Sequence, residues 1–411
     1  MSGRAVGRVE AARGGFAHVR LPFARVGDGV RICARDRSVH ARIVALDGAR
    51  ALAAPFGALD GVAAGDRVDD DPHALRLPLG TPLLGRAVDA AGEPLDGHSA
   101  PRGRRVACDA PPPTPGERRP CTEILWTGVR AIDGPLAIAR GARVGVVGEA
   151  GTGKSSLLDA VVRGARCDAV VVALIGERGR EAERRIVHVD ARTTVVCATS
   201  DRAAPERVRA AEVAFAHAAA LRSRGLDVLL VVDSLARVAS AARDVAVAAG
   251  EPLGRGGYPA GALALLARLL ECAGATESGA VTLVASVLAD GGDDPIVAAA
   301  RAALDGHIVL SDRLARAGRF PAVDVVRSAS RTLAVAGTRE HVAAAAALRA
   351  AVAGLEDSRE ARALGLVPGD PFLARALAAE AQIDRFLAQG DEPSDSRATL
   401  TQLCRLADIL T

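Results

Sequence analysis

A chain of 411 residues is long enough for two or three domains and a large buried core. Its 49% hydrophobic and 25% charged residues describe a folded protein rather than a disordered one, and a net charge of +3 neither demands nor excludes an anionic partner. The seven cysteines are scattered without a C-x-x-C pair, which fits reduced thiols better than disulfides or a zinc site. The opening "MSGRAVGRVEAARGG" has no apolar signal core, and no stretch reaches the roughly 18 apolar residues of a membrane span. The expected location is therefore cytoplasmic, docked on a membrane only through partners.

Residues 1–75 read as short strands, such as "FAHVRL" and "ARIVAL", between Gly and Asp turns, a spacing that favours a small β-barrel or sandwich. "CDAPPPTPGERRP", 108–120, is a proline-rich connection that neither a helix nor a central strand accommodates. Short Val-rich runs follow at 142–148, 169–176, 193–200, 227–234, 280–288 and 306–311, with long helical patterns at 205–224 and 261–272. Strands alternating with helices imply a parallel sheet covered on both faces. From about 334 onward only helical patterning remains, broken by Gly and Pro at 365–371 and 390–393. The domain division that follows is 1–75, 76–333 and 334–411.

The chain has 52 Lys+Arg positions, and all but Lys154 are arginine. Lys is a compact charge on a thin stem and Arg a wide planar fork, so a narrow loop around a phosphate admits only the first. Lys154 stands in Gly148-Glu149-Ala150-Gly151-Thr152-Gly153-Lys154-Ser155, which matches G-x-x-x-x-G-K-[ST], with Ser156 next and a strand and a helix pattern on either side. In such a P-loop the glycines turn backbone N–H groups onto phosphate oxygens, and the helix N-terminus adds its dipole. Lys154 is placed to reach the β- and γ-phosphates of ATP, and the Ser155 hydroxyl to ligate Mg2+.

Three other residues gain meaning beside that loop. Asp233 ends the run "DVLLVVD", where the second acidic residue of a P-loop enzyme holds magnesium through water; standing alone it would be a turn residue. Glu177 follows the strand "VVVALIG", a position from which a carboxylate polarises an attacking water. The alternative for Glu177 is a solvated loop glutamate in the charge-rich stretch from Glu177 to Arg185. Arg331, in "RSASR", gains a role only in a ring, where one subunit's arginine completes its neighbour's site.

These segments, with "PLGTPLLGRAVDAAGEPLDG" (78–97), "TGVRAIDGPL" (127–136), "ALIGERGRE" (173–181), "VCATSDR" (196–202), "LLVVDSLARVASAARDVAVAAGEP" (229–252), "GYPAG" (257–261) and "LDGHIVLS" (304–311), occur in an order that resembles the ATPase of type III secretion systems. The flagellar export ATPase and the catalytic subunit of rotary ATP synthases are relatives of that family. The resemblance spans nearly the whole chain. It implies an α/β fold: a RecA-like P-loop NTPase core with a parallel sheet, a small N-terminal β-barrel and a C-terminal helical domain. It also implies a homohexameric ring that couples ATP hydrolysis to chaperone release, unfolding and export, in contact with stator and central-stalk proteins. On this resemblance Lys154 and Ser155 are the P-loop contacts, Glu177 the catalytic base, Asp233 the magnesium-associated carboxylate, Arg178 the arginine after that base, and Arg331 the finger across the subunit interface.

The chain also departs from the family. Glu149 stands where a small or apolar residue is usual, and its charge is expected to weaken nucleotide binding. Ala236 and Val238 replace Thr and Phe, Gly256 replaces an arginine, Gly261 a serine, and "LGLV" takes the place of a "GAY"-like segment near 364–366. The amphipathic N-terminal segment of the family is nearly absent, so either the start lies upstream or stator docking differs. Alternative readings are a flagellar export ATPase, a weakly active nucleotide-binding paralogue, and a hexameric RNA motor. The last is disfavoured because Phe16, Phe23 and Phe56 offer no basic-aromatic cluster, so no nucleic-acid partner is expected.

Overall fold

The computed structural model describes residues 6–109, 111–288, 296, 298, 302–364 and 369–411. It divides into two compact units, 1–112 with 169–225 and 232–272, and 113–168 with 226–231 and 273–411. The "LGLV" replacement over 364–367 lies, after Leu364, outside the described residues.

Six strands open the first unit: β1 (Val6–Arg13), β2 (Phe16–Arg20), β3 (Gly29–Cys33), β4 (Ser38–Asp47), β5 (Arg50–Pro55) and β6 (Arg67–Asp70). They close into a barrel in the order β1-β2-β5-β4-β3-β6, a barrel rather than a sandwich. Side chains alternate across each strand, so Val9, Val19, Val30, Ile32, Ile43 and Val68 fill the interior while their neighbours face out. Register shifts after Val9 and Ile43 supply local bends of the kind closure needs.

The principal strands that follow are β7 (Ala87–Val88), β8 (Arg143–Gly148), β9 (Ala169–Ile175), β10 (Thr193–Ala198), β11 (Asp227–Asp233), β12 (Ala280–Leu288), β13 (Gly306–Leu310) and β14 (Val323–Ser330). The longer helices are α1 (Lys154–Gly164), α2 (Gly179–Val187), α3 (Ala204–Arg222), α4 (Leu235–Ala248), α5 (Ala260–Glu271), α6 (Arg339–Asp357), α7 (Pro371–Ala378), α8 (Glu380–Leu387) and α9 (Ser396–Leu410).

In the first unit β7, β10 and β9 lie side by side and parallel. All seven residues of β9 are buried, the continuous apolar run of a strand covered on both faces. Helix α3 is buried along nearly its whole length, and its many alanines allow close approach to neighbours. Its Glu212 is gripped by Arg42 of β4 through two 2.8 Å bonds, with Arg268 of α5 at 3.2 Å. Arg209 lies 4.5 Å above the Phe56 ring. Removing one partner of such a buried pair costs about 3–5 kcal/mol, because the other charge is then left buried and unpaired.

The second unit places β8 between β12 and β13, all parallel, with β14 antiparallel at the edge. The edge strand is absent from the Val-rich runs of the sequence. Its residues "VDVVRSAS" mix polar side chains into the pattern because one face is only half covered. The C-terminal helices are capped by local chemistry: Thr338 accepts from the His341 N–H at α6, Asp370 from Phe372 at α7, and Asp395 from Ala398 at α9. Among the described residues no helix is long and apolar enough to cross a membrane.

Candidate active site

The phosphate loop belongs to the second unit. Strand β8 ends at Gly148, and α1 begins at Lys154. Gly151 and Gly153 have φ of +83° and +92°, conformations that side chains rarely adopt. Gly148 is required for another reason, since a Cβ there would stand 2.7 Å from Thr152 Oγ1. The Thr152 hydroxyl donates to the Glu149 carbonyl at 2.8 Å and pins the turn. Lys154 Nζ folds over the loop, donating to the carbonyls of Gly148 at 2.7 Å and Glu149 at 2.6 Å. Ser155 and Ser156 are exposed on the first turn of α1, as are Glu149 and Ala150 before the turn. The Glu149 side chain borders a cleft shared with Arg313, Arg327 and Arg359.

Beside this loop lies a pocket that the sequence did not announce. Val129, Thr152, Gly153, Ser156, Leu157, Phe320, Pro321 and Gln389 line it. Gln389 is fixed on every side: its backbone N–H donates to the Phe320 carbonyl at 2.8 Å, its Nε2 donates to the Gly128 carbonyl at 2.7 Å, and its Oε1 accepts from Arg130 N at 2.9 Å. Buried Asp133 holds the chain before Val129 in place, accepting from Thr127 Oγ1 at 2.7 Å and from the N–H groups of Thr127 and Gly128. The result is a rigid, largely apolar slot with an aromatic ring at its rim. The only sequence feature that hints at it is Phe320-Pro321, an aromatic in a chain with only 2% aromatics, and that pair alone points to no pocket.

Arg331 shares the second unit with the loop but not its location. It directly follows β14, and its N–H donates to the Asp305 carbonyl at 3.0 Å. The register pairs Ser330 with Gly306 and Gly306 with Val144, which puts Arg331 level with the start of β8. Gly148, at the other end of β8, is four residues on, about 13 Å along the strand. Arg331 is exposed and lies across the sheet from its own loop.

The carboxylates belong to the first unit, which brings them together. Glu177 follows β9 after Gly176, whose φ is +71°. It is 6% exposed, so it is a buried residue and not a solvated loop glutamate. The charge-rich stretch after it is helix α2, with Arg178 exposed at its N-cap. Arg237 of α4 meets the Glu177 carboxylate at 3.1 Å. Burial, a hydrogen bond with Glu181 and the charge of Asp233 together push Glu177 up to about 7, against the opposing pull of Arg237. Asp233 closes β11, 4% exposed, and Arg185 of α2 grips its Oδ2 at 3.0 Å.

Two departures from the family pattern have local reasons. Gly261 lies against the Glu251 carboxylate, which accepts its N–H at 2.8 Å and would have to shift to admit a Cβ. Gly256 has φ of +66°, where glycine is favoured. Nothing in the structure explains Ala236.

A glycine-cradled loop that opens a helix from a parallel strand, in a chain with buried carboxylates at two strand ends, defines a P-loop ATPase of the ATP synthase kind. Residues 128–330 match the ATP synthase alpha/beta family, nucleotide-binding domain. The chain is 40% identical to the type 3 secretion system ATPase of Pseudomonas savastanoi pv. phaseolicola, over 99% of this chain and 95% of that one. It is 37% identical to the flagellum-specific ATP synthase of Bacillus subtilis, over 97% and 94%. The structure of the assembled ATPase EscN in complex with its central stalk EscO, from the type III secretion system of enteropathogenic E. coli, superposes with a TM-score of 0.89 at 35% identity, covering 98% of this chain and 100% of EscN. The chain belongs to the type 3 secretion system ATPase family. The fold, family and enzyme class expected from sequence hold.

Proposed function

We propose that this ATPase works as a homohexameric ring at the cytoplasmic face of the secretion apparatus, contacting stator and central-stalk proteins. There it turns ATP hydrolysis into chaperone release, unfolding and export of secreted proteins. The similarity to an assembled, stalk-bound relative supports the ring and the stalk contact. Residues 1–75 form the barrel domain of this reading, 76–333 the ATPase domain and 334–411 the helical domain.

Within the site, Gly148 to Ser156 cradle the phosphates. Lys154 exchanges its two loop carbonyls for phosphate oxygens, and the slot at Phe320, Pro321 and Val129 takes the base. Ser155 and Asp233 are oxygen donors of the kind Mg2+ prefers, and the Arg185 guanidinium on Asp233 shows that this carboxylate already receives a positive charge. Bound there, Mg2+ supplies charge neutralisation on the β- and γ-phosphates. Glu177, with its pKa near 7, accepts the proton of the attacking water as it adds to the γ-phosphorus and the bond to the bridging oxygen breaks, releasing ADP. Arg178 lies beside that base, and Arg331, across the sheet from its own loop, serves a neighbouring subunit.

The observation that carries this reading is the buried Glu177, a carboxylate tuned to the range where a general base works best at neutral pH. Specific ATPase activity against protein concentration tests it, for the wild type beside Glu177→Gln. A rate per subunit that rises with concentration and vanishes in the mutant is expected. A flat, negligible rate in both, with ATP still bound, would instead favour the weakly active paralogue.

A further inference from the structure

Helix α2 carries a charge that the reaction as described does not use. Arg185 sits on its last turn, with a side chain only 14% exposed and a 3.0 Å contact to an Asp233 carboxylate that is 5% exposed. Residues 178, 181, 182 and 185 recur at three- and four-residue spacings and so share one side of the helix. Ala182 is the buried member of that row and seats it. Glu181 then meets Glu177 and, one turn on, Arg185 meets Asp233, so a single short helix touches both carboxylates of the first unit. A second arginine, Arg237 of α4, meets Glu177 at 3.1 Å.

Three physical facts bear on this pair. A carboxylate this deeply buried must be compensated, because leaving it unpaired is costly. Arg is always charged and brings a fixed fork of donors, so it offers Asp233 a permanent, well-directed positive partner. A divalent cation compensates the same carboxylate more strongly, and two cations crowded on one acid repel.

We infer that Arg185 is an internal counter-ion that stands in for the divalent cation at Asp233, so that Mg2+–nucleotide binding and the Arg185–Asp233 pair oppose each other. This rests on Asp233 as the magnesium-associated carboxylate. Arg185 is thereby a positioning residue: it keeps Asp233 ordered and aimed before nucleotide arrives, and it sets how much Mg2+ is needed to replace it. Loading the site swings Arg185 away from Asp233 and frees the end of α2, which couples the position of that helix to site occupancy.

The test is a binding measurement on the full chain, without turnover. Fluorescent ADP is titrated at fixed protein over a series of Mg2+ concentrations, and Mn2+ binding is followed by its paramagnetic resonance in the presence of ADP. The proteins are wild type, Arg185→Ala, Arg185→Lys and Asp233→Asn. Arg185→Ala is expected to lower the Mg2+ concentration at half-saturation on the order of tenfold. Arg185→Lys, which keeps the charge without the fork, should fall between it and wild type. Thermal unfolding adds the second readout: Arg185→Ala should melt lower than wild type in EDTA and recover most of that loss in Mg2+–ADP.

A merely structural arginine would give the same loss of melting temperature in both media and an unchanged Mg2+ midpoint, and that result overturns the inference. Asp233→Asn separates the two levels. If it leaves Mg2+-dependent ADP binding intact, the reading of Asp233 itself fails. If it weakens that binding while Arg185→Ala changes nothing, only the counter-ion role fails.

Discussion

The phosphate loop of the second unit and the carboxylate pair of the first are built from different materials. The phosphate loop is made of backbone: glycine dihedrals, a threonine staple and one lysine folded onto carbonyl oxygens. The carboxylate pair is made of side chains, each held by an arginine from a different helix. Backbone geometry is indifferent to pH and tolerates no substitution at its tight points. A side-chain network is tunable, because each neighbour shifts the charge balance of the next. On the proposed function, the loop would grip a constant feature of every nucleotide, and the carboxylates would adjust how fast the chemistry runs.

That contrast is sharpest where the loop is broken. Lys154→Ala should abolish nucleotide binding and turnover together, a loss on the order of a thousandfold or more. Lys154→Arg should fail nearly as badly because the fork does not fit the cradle, and full activity in that variant would break the account. Arg331→Ala should be silent in monomers and cost about a thousandfold or more in rings. Mixing it with Lys154→Ala protein should restore part of the activity, and proven co-assembly without any rescue would count against action across the interface.

On the tunable side, Glu177→Gln should bind ATP with near-normal affinity and turn it over at least about a hundredfold more slowly. A base with a pKa near 7 must be ionised to work, so kcat/KM should rise with pH and reach half its maximum near 7. Arg237 opposes that upward shift, so Arg237→Ala should move the limb to higher pH. Glu181 promotes it, so Glu181→Gln should move the limb lower. Equal profiles in all three proteins would show that Glu177 is not the group titrating. The smallest effect belongs to Glu149→Ala, expected to tighten ATP binding a few-fold by removing a negative charge from the loop.

What could be read from the chain alone follows the same division. The loop was legible because all its determinants lie within nine consecutive residues, Gly148 to Ser156, and Glu177 and Asp233 because each ends an apolar run. Partners far apart in sequence were not. Arg185 meets Asp233 from 48 positions away, and nothing in "EAERRIV" distinguishes it from the exposed Arg184 beside it. The apolar slot beside the loop draws on segments near 129, 157, 320 and 389, which only the fold brings together. Barrel and sandwich stayed equivalent in sequence because the deciding contact is the pairing of β1 with β6, some sixty residues apart. Strand β14 was hidden by its mixed polarity, since an antiparallel edge needs only one apolar face.

The lone lysine has a practical side as well. Apart from the amino terminus, Lys154 offers the one amine of the chain, so an acylating reagent finds a single side-chain target, seated in the phosphate loop. Bound nucleotide would shield it, and each subunit modified at Lys154 would gain one fixed increment of mass beyond that of its amino terminus. The protein thus carries a native reporter of occupancy, with which intact-mass spectrometry can count how many subunits of an assembly hold ATP at once.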